Sequence, residues 1–229
     1  VSGIAPEDYP RLPDPLISLT AAAAVTSKIR LGTGVLLVAQ HNPINIAKSI
    51  STLDVISGGR FEMGIGYGWN REEMFHHGVE FSTRRERVRE TMLAVKQLWT
   101  EEEAEFHGEF IDFDPSWAWP KPVKEKGPRV MLGGAPGPTI FQHIAEFGNG
   151  WMPIGGSGIK ASLSDLQKVC ESKERDFSEI SIIPFGTVPD QGKLDYFEEL
   201  GVDEVILRVP AGPREHVLET LDSYVSFLK

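Results

Sequence analysis

The stretch GRFEMGIGYGWN, residues 59–70, decides how the rest of the chain is read. It places glycine at positions 64, 66 and 68, alternating with Ile65 and Tyr67. A dinucleotide-binding loop would need G-x-G-x-x-G opening a helix directly after a strand, because each glycine there has its own steric task. The spacing here is G-x-G-x-G. Period two is strand periodicity, so the glycines share one face while Met63, Ile65 and Tyr67 share the other. Glycine inside a strand marks a bulge or a place where another group comes close to the backbone.

Upstream, DPLISLTAAAAVTS opens with Asp14 as a cap and Pro15 in the first turn, which predicts a helix. KIRLGTGVLLV, residues 28–38, is a nearly unbroken apolar run, as in a parallel strand covered on both faces. NPINIAKSISTLDVISGG repeats the helix grammar, with Asn42 as cap, Pro43 next and Gly58–Gly59 as the stop. Downstream, a short acidic helix is expected from Asn70. The longer RRERVRETMLAVKQLW carries Val88, Met92, Val95 and Trp99 at helical spacing, a core face. Residues 101–128 form an excursion of alternating aromatic and polar residues, expected as a hairpin outside the main repeat. RVMLGGA, GWMPIGG, EISIIPFG and DEVILRVP then read as strands, followed by helices from near Pro138, Ala161, Gln191 and Pro213.

This cadence gives an α/β fold with a parallel sheet, either open and doubly wound or closed as an eight-fold barrel. Six βα units can be read, preceded by a helix with no strand before it. A barrel unit takes about 30 residues, so two further units correspond to roughly 60 residues upstream. The expectation is a single (β/α)8 TIM-barrel domain over residues 1–229 that lacks its first two βα units in the chain as given.

With 229 residues, 41% hydrophobic and 24% charged, the chain has material for one large core. A net charge of −10 argues against nucleic acid or an anionic membrane and leaves a small molecule as the expected partner. The single cysteine, Cys170, cannot form an intrachain disulfide and reads as an inert helix thiol. No apolar run reaches the roughly 20 residues of a membrane span, and a cytoplasmic location is expected.

Chemistry is signalled most strongly by glycine-rich loops after two successive strands, LGGAPGP from Leu132 and IGGSGIK from Ile154. Backbone amides beside helix starts cradle an anion without any cationic side chain. The plainer alternative is that Gly133, Gly134, Gly155 and Gly156 only make tight turns. In RLGTGVLLV, Gly34 fits a bulge that pushes Val35 towards the barrel mouth, where a flat ring could rest on it; close packing against a helix is the alternative.

RLGTGVLLV, NPINIAKSISTLDVISGGRFEMGIGYGW, ERVRETMLAVKQLW, WPKPV, VMLGGAPGP and FGNGWMPIGG together resemble the luciferase-like flavin oxidoreductase family, most closely its branch using the deazaflavin coenzyme F420. FMN-dependent monooxygenases of that family share much of the pattern. The resemblance implies an eight-stranded barrel with a non-prolyl cis peptide behind the cofactor ring, at the position of Gly34 and Val35. It implies that Gly66, Gly68 and Trp69 lie near the ring or its ribityl chain, the alternating glycines baring one strand face to the cofactor. Phosphate contacts match Gly133, Gly134 and Ala135, then Ile154, Gly155 and Gly156, with Lys160 adding charge. A homodimer built through early barrel helices is implied as well.

The family's usual acidic and histidine residues at the end of the second strand have no counterpart in this sequence, so no catalytic residue is assigned. His41 replaces a more usual arginine and reads as a capping or surface histidine. His76, His77, Glu72 and Glu73 do not make a metal set, and no metal is expected. Trp117 and Trp119 either cover the mouth or form a small satellite core. The expected function is hydride transfer between F420 and a small organic substrate. An FMN-dependent monooxygenase and a non-catalytic flavin-binding protein are the alternatives.

Overall fold

Asp14 and Pro15 start the first helix as their chemistry requires. The computed structural model, which describes residues 11–156 and 158–228, has α1 over Pro15–Val25, with the Asp14 carboxylate accepting the Ile17 amide at 2.9 Å. α2 (Pro43–Ser57) begins in the same way: the Asn42 side chain accepts from Ile44 and Asn45. It ends at Gly58, whose φ of +66° favours glycine and whose amide returns to the Asp54 and Val55 carbonyls. Arg60 then joins both helix ends. Its guanidinium donates to the Ser57 carbonyl after α2 and to the Ala23, Thr26 and Ile29 carbonyls around the end of α1, at 2.7 to 3.2 Å. The Ser57, Ala23 and Thr26 carbonyls are acceptors a helix end leaves without intrahelical donors.

The chain divides after Met131 into two compact units. In the first, β1 (Leu31–Gly32) and β2 (Phe61–Ile65) pair in parallel, Leu31 opposite Phe61. The strand expected over residues 28–38 is therefore much shorter. Pairing resumes only at Leu36, opposite Ile65, so four residues advance on one side against three on the other. This is the bulge that Gly34 was read to permit. Its cause is visible at one acceptor: the Gly64 carbonyl receives the Thr33 hydroxyl at 2.7 Å and the Leu36 amide at 2.8 Å, leaving the intervening residues outside the ladder. Val38–Gln40 then coil into a 3-10 turn.

α3 (Arg71–His76) and α4 (Arg84–Thr100) follow β2. α4 packs on α2 and buries Val88, Met92, Val95 and Trp99, whose indole donates to the Ala47 carbonyl at 3.1 Å. β3 (Ala104–His107) and β4 (Asp112–Ser116) form an antiparallel hairpin. Its tip is held by the buried Glu90 carboxylate, which accepts the amides of Glu109, Phe110 and Ile111 at 2.7 to 2.9 Å. Trp117 and Trp119 form no satellite core: they are 73% and 57% exposed, and the Trp117 indole donates to Glu103. Tryptophan keeps such exposure where its ring edge has a polar partner.

β5 (Arg129–Gly133) runs through the division. The second unit alternates α5 (Pro138–Phe147), β6 (Gly150–Met152), α6 (Ile159–Ser172), β7 (Ser181–Ile182), β8 (Phe185–Thr187), α7 (Gln191–Glu199), β9 (Ile206–Leu207) and α8 (Arg214–Tyr224). β6 pairs with β7 and β8 with β9, both in parallel. The single strand expected in EISIIPFG is split at Pro184, which has no amide to give to a ladder. Within this unit Phe141 meets Trp151 edge to face, 5.5 Å between centroids, and α6 buries Leu166 and Cys170.

Candidate functional site

At the exit of β2, the residues expected to bear a ring are gathered by the bulge. The Gly34–Val35 peptide is cis, as the resemblance implied. A Cβ placed on Gly66 would lie 2.6 Å from Val35 Cγ2, and one on Gly68 would run into the methyl of Met74. The alternating glycines thus admit the chain's own side chains. This corrects the reading that they leave a face bare: Val35 and Met74 fill it, because the bulge turns Val35 onto Gly66. Apolar surface is offered instead by Val35 and Trp69, 39% and 47% exposed.

The sequence reading missed the arginines around this exit. Arg71 and Arg84 both lie over the Phe81 ring, at 4.4 and 3.6 Å from its centroid, and Arg85 lies 5.6 Å from the Tyr67 ring. Arg84 also donates to the Gly68 carbonyl at 3.1 Å, and Arg87 to the Ala39 carbonyl at 3.2 Å. Arg84 loses proton affinity through burial, then through repulsion by Arg85 and Arg71. A legible signal existed: cations in the first turn of a helix oppose its dipole, so RRER at the start of α4 needed another reason. That reason is fastening the β2 exit. Burial pushes the Tyr67 phenol far up, against the opposing pull of Arg85, so Tyr67 keeps its proton at neutral pH.

In the second unit the two glycine loops adjoin, since a Cβ on Gly158 would lie 3.5 Å from Pro136 Cγ. α5 and α6 start from Gly137 and Gly158 without any side-chain cap, whereas Asp14, Asn42, Asn70 and Asp190 bond the first-turn amides of their own helices. Gly155 has φ +64°, and a Cβ there would meet none of the described residues within 4 Å. Its amide is already committed to the Phe185 carbonyl at 2.7 Å, so it is not a donor for a ligand. Gly156 backs onto Phe197. The Gly134 carbonyl is tied to the Trp151 indole at 3.0 Å, fixing the loop that carries Gly133 and Ala135. Ile154 is 77% exposed, and Lys160 is exposed on the first turn of α6. The site residues thus form two groups, one in each unit.

His41 closes the 3-10 turn, its amide returning to Val38 at 3.1 Å; burial lowers its pKa, Asp14 raises it and His77 lowers it. His76 and His77 are exposed. Burial raises the Cys170 thiol pKa, which keeps it protonated and unreactive.

A family model described as luciferase-like monooxygenase matches residues 4–189. An uncharacterized protein of Mycobacterium tuberculosis is 45% identical over 208 residues, 90% of this chain and 73% of that protein. An F420-dependent glucose-6-phosphate dehydrogenase of Kineococcus radiotolerans is 34% identical, covering 64% of this chain and 44% of that enzyme. An FMNH(2)-dependent dimethylsulfone monooxygenase of Pseudomonas putida is 29% identical, covering 64% and 41%. Among solved structures, monooxygenase RslO1 of Streptomyces bottropensis has a TM-score of 0.80 at 22% identity, covering 94% of this chain and 82% of its own. The coenzyme F420 dependent tetrahydromethanopterin reductase of Methanopyrus kandleri has a TM-score of 0.75 at 17% identity, covering 92% and 86%. These two likenesses establish the shared (β/α)-barrel fold.

Proposed function

Because the chain belongs to the luciferase-like monooxygenase family, we propose that it is an F420-dependent oxidoreductase that exchanges a hydride with a small organic substrate. The observation that carries this reading is the 34% identity to the F420-dependent dehydrogenase of Kineococcus radiotolerans, above the 29% to the FMNH(2)-dependent monooxygenase over an equal share of this chain; two further F420-dependent dehydrogenases stand at 28% and 29%. The residues fit such a cofactor: uncapped amides at the starts of α5 and α6 suit a phosphate, and no described residue fills the space beside Gly155 where one would sit. When bound, the deazaflavin supplies the hydride chemistry.

In this reading Gly133, Gly134, Ala135 and Gly156 line the phosphate seat, while Gly155 supplies space there and not its amide. Ile154 shields that seat with apolar surface, and Lys160 adds one positive charge. Gly34 and Val35 support the ring from the bulge and Trp69 holds its edge, while Gly66 and Gly68 seat Val35 and Met74. Tyr67 keeps a proton at Oη beside that exit. Arg84 keeps the exit in shape through its bond to the Gly68 carbonyl. A homodimer belongs to the same reading, supported by the apolar groove of about 930 Å³ between α1 and α2, where Ile17 and Ile56 are exposed. So does a cytoplasmic location; among the described residues no helix is long and apolar enough to cross a membrane.

Titration with F420 and with FMN tests the proposal. F420 should bind the more tightly, with its ring reduced by a suitable donor. Equal or reversed affinities would replace it with the FMN-dependent monooxygenase reading, and binding without redox turnover would favour a flavin-binding protein. Light scattering during gel filtration should give twice 25.3 kDa; a monomer would remove the dimer.

A further inference from the structure

β8 and β9 end side by side in the second unit, and a cavity of about 310 Å³ opens at their ends, lined by Ile154, Phe185, Gly186, Leu207, Arg208 and Val209. That is the small end of the range for small-molecule pockets, about 300–1,000 Å³. Ligands of parallel α/β folds bind at the carboxyl ends of strands, and in barrels the last two strands often receive an anionic group there. Four walls of this cavity are apolar and partly or largely exposed. Gly186 lets a ligand reach the backbone, since a Cβ there would meet nothing within 4 Å.

Arg208 is the one charged residue of the lining. Its backbone is pinned from both sides, the amide donating to the Thr187 carbonyl at 2.8 Å and the carbonyl accepting the Tyr224 hydroxyl at 2.9 Å. Its guanidinium, by contrast, forms no hydrogen bond or ion pair among the described residues. In a chain with 33 acidic and 23 basic residues, carboxylates to pair with it are plentiful, yet none of the described ones is placed against it. At the same strand end the Thr187 hydroxyl is fully buried and lacks a partner among the described residues. A fixed Cα, an unspent planar cation and apolar walls are what a site needs to orient an amphiphilic anion.

We infer that this cavity seats the organic substrate and selects an apolar body bearing one anionic group, with Arg208 as its counter-charge. The assignment as substrate rests on the oxidoreductase reading; the chemistry of the pocket does not. Hexanoate, hexyl phosphate and 1-hexanol, titrated into the full chain without any cofactor and followed at the Gly186 and Val209 amides by NMR, test it. At least one of the two anions should bind about tenfold or more tightly than the alcohol. A preference for hexanoate would mark a carboxylic acid substrate, and one for hexyl phosphate a phosphoester. Arg208→Gln should bring the anions down to the level of the alcohol, and Arg208→Lys should restore part of the gap. Equal binding of anion and alcohol, an unchanged gap in Arg208→Gln, or shifts confined to other residues would overturn the inference. A chain that bound neither F420 nor FMN would defeat the oxidoreductase reading and leave this outcome readable.

Discussion

Gly66 and Gly68 at the exit of β2 and Gly155 in the loop after β6 look alike in sequence and do opposite things. At Gly66 and Gly68 the missing side chain is replaced by Val35 and Met74, so the glycine serves packing. At Gly155 nothing replaces it, and the glycine serves a left-handed backbone and open space. Spacing does not separate the two cases. What separates them is whether another segment arrives, and the segment carrying Val35 comes from some thirty residues upstream.

Four substitutions sharpen that contrast, in order of expected effect. Gly66→Ala drives a methyl group into a stiff β-branched neighbour and should cost about 2 kcal/mol in urea unfolding. Val35→Ala should recover much of that loss in the double variant, because it removes the colliding Cγ2; additive losses would mean that Val35 is not what Gly66 accommodates. Gly155→Ala collides with nothing and should cost about 1 kcal/mol through its positive φ alone, with no neighbouring truncation restoring it. Gly155→Asp should in addition weaken cofactor binding by about tenfold, since it sets a negative charge where a phosphate is proposed. Unchanged affinity in a folded Gly155→Asp chain would end the phosphate assignment.

The smallest effect is expected at Asp54, inside the packed unit. One of its carboxylate oxygens accepts the Val123 amide at 2.8 Å, while the other is buried without a partner among the described residues. Burial raises its pKa, with the Val123 bond and Lys124 working against that shift. A raised folded pKa means that its contribution to stability is fully present below the unfolded value near 3.8 and is lost as pH rises through the folded one. Asp54→Asn should therefore match or exceed the parent at pH 7 by up to about 1 kcal/mol and flatten the fall in stability above pH 4. Greater destabilisation of Asp54→Asn at pH 7 than at pH 4 would contradict this.

Local chemistry was legible in the sequence. Asp14, Asn42 and Gly58 act where a cap or a stop requires their side chain or lack of one, and these contacts lie within a few residues. The cadence of strands and helices was legible for the same reason. The extent of β1 was not, because the Gly64 carbonyl, 31 residues from Thr33, takes the hydroxyl that breaks the ladder. The arginines of α4 were hidden likewise: only the folded chain shows that Arg84 answers Gly68 and Phe81. Of the candidate site, the loops were found from their composition, but that Gly155 had already spent its amide on Phe185 depended on a strand 30 residues away.

Arg60 has a consequence for how the chain withstands peptidases. The connection from α1 to β1 carries Lys28 and Arg30, the residues that trypsin-like enzymes seek. Such enzymes need a stretch of chain that can be drawn out and threaded through a cleft. With the Ala23, Thr26 and Ile29 carbonyls all clasped by one guanidinium, that stretch is stitched down at three points, and the two cleavable bonds are guarded by a side chain from the far end of α2.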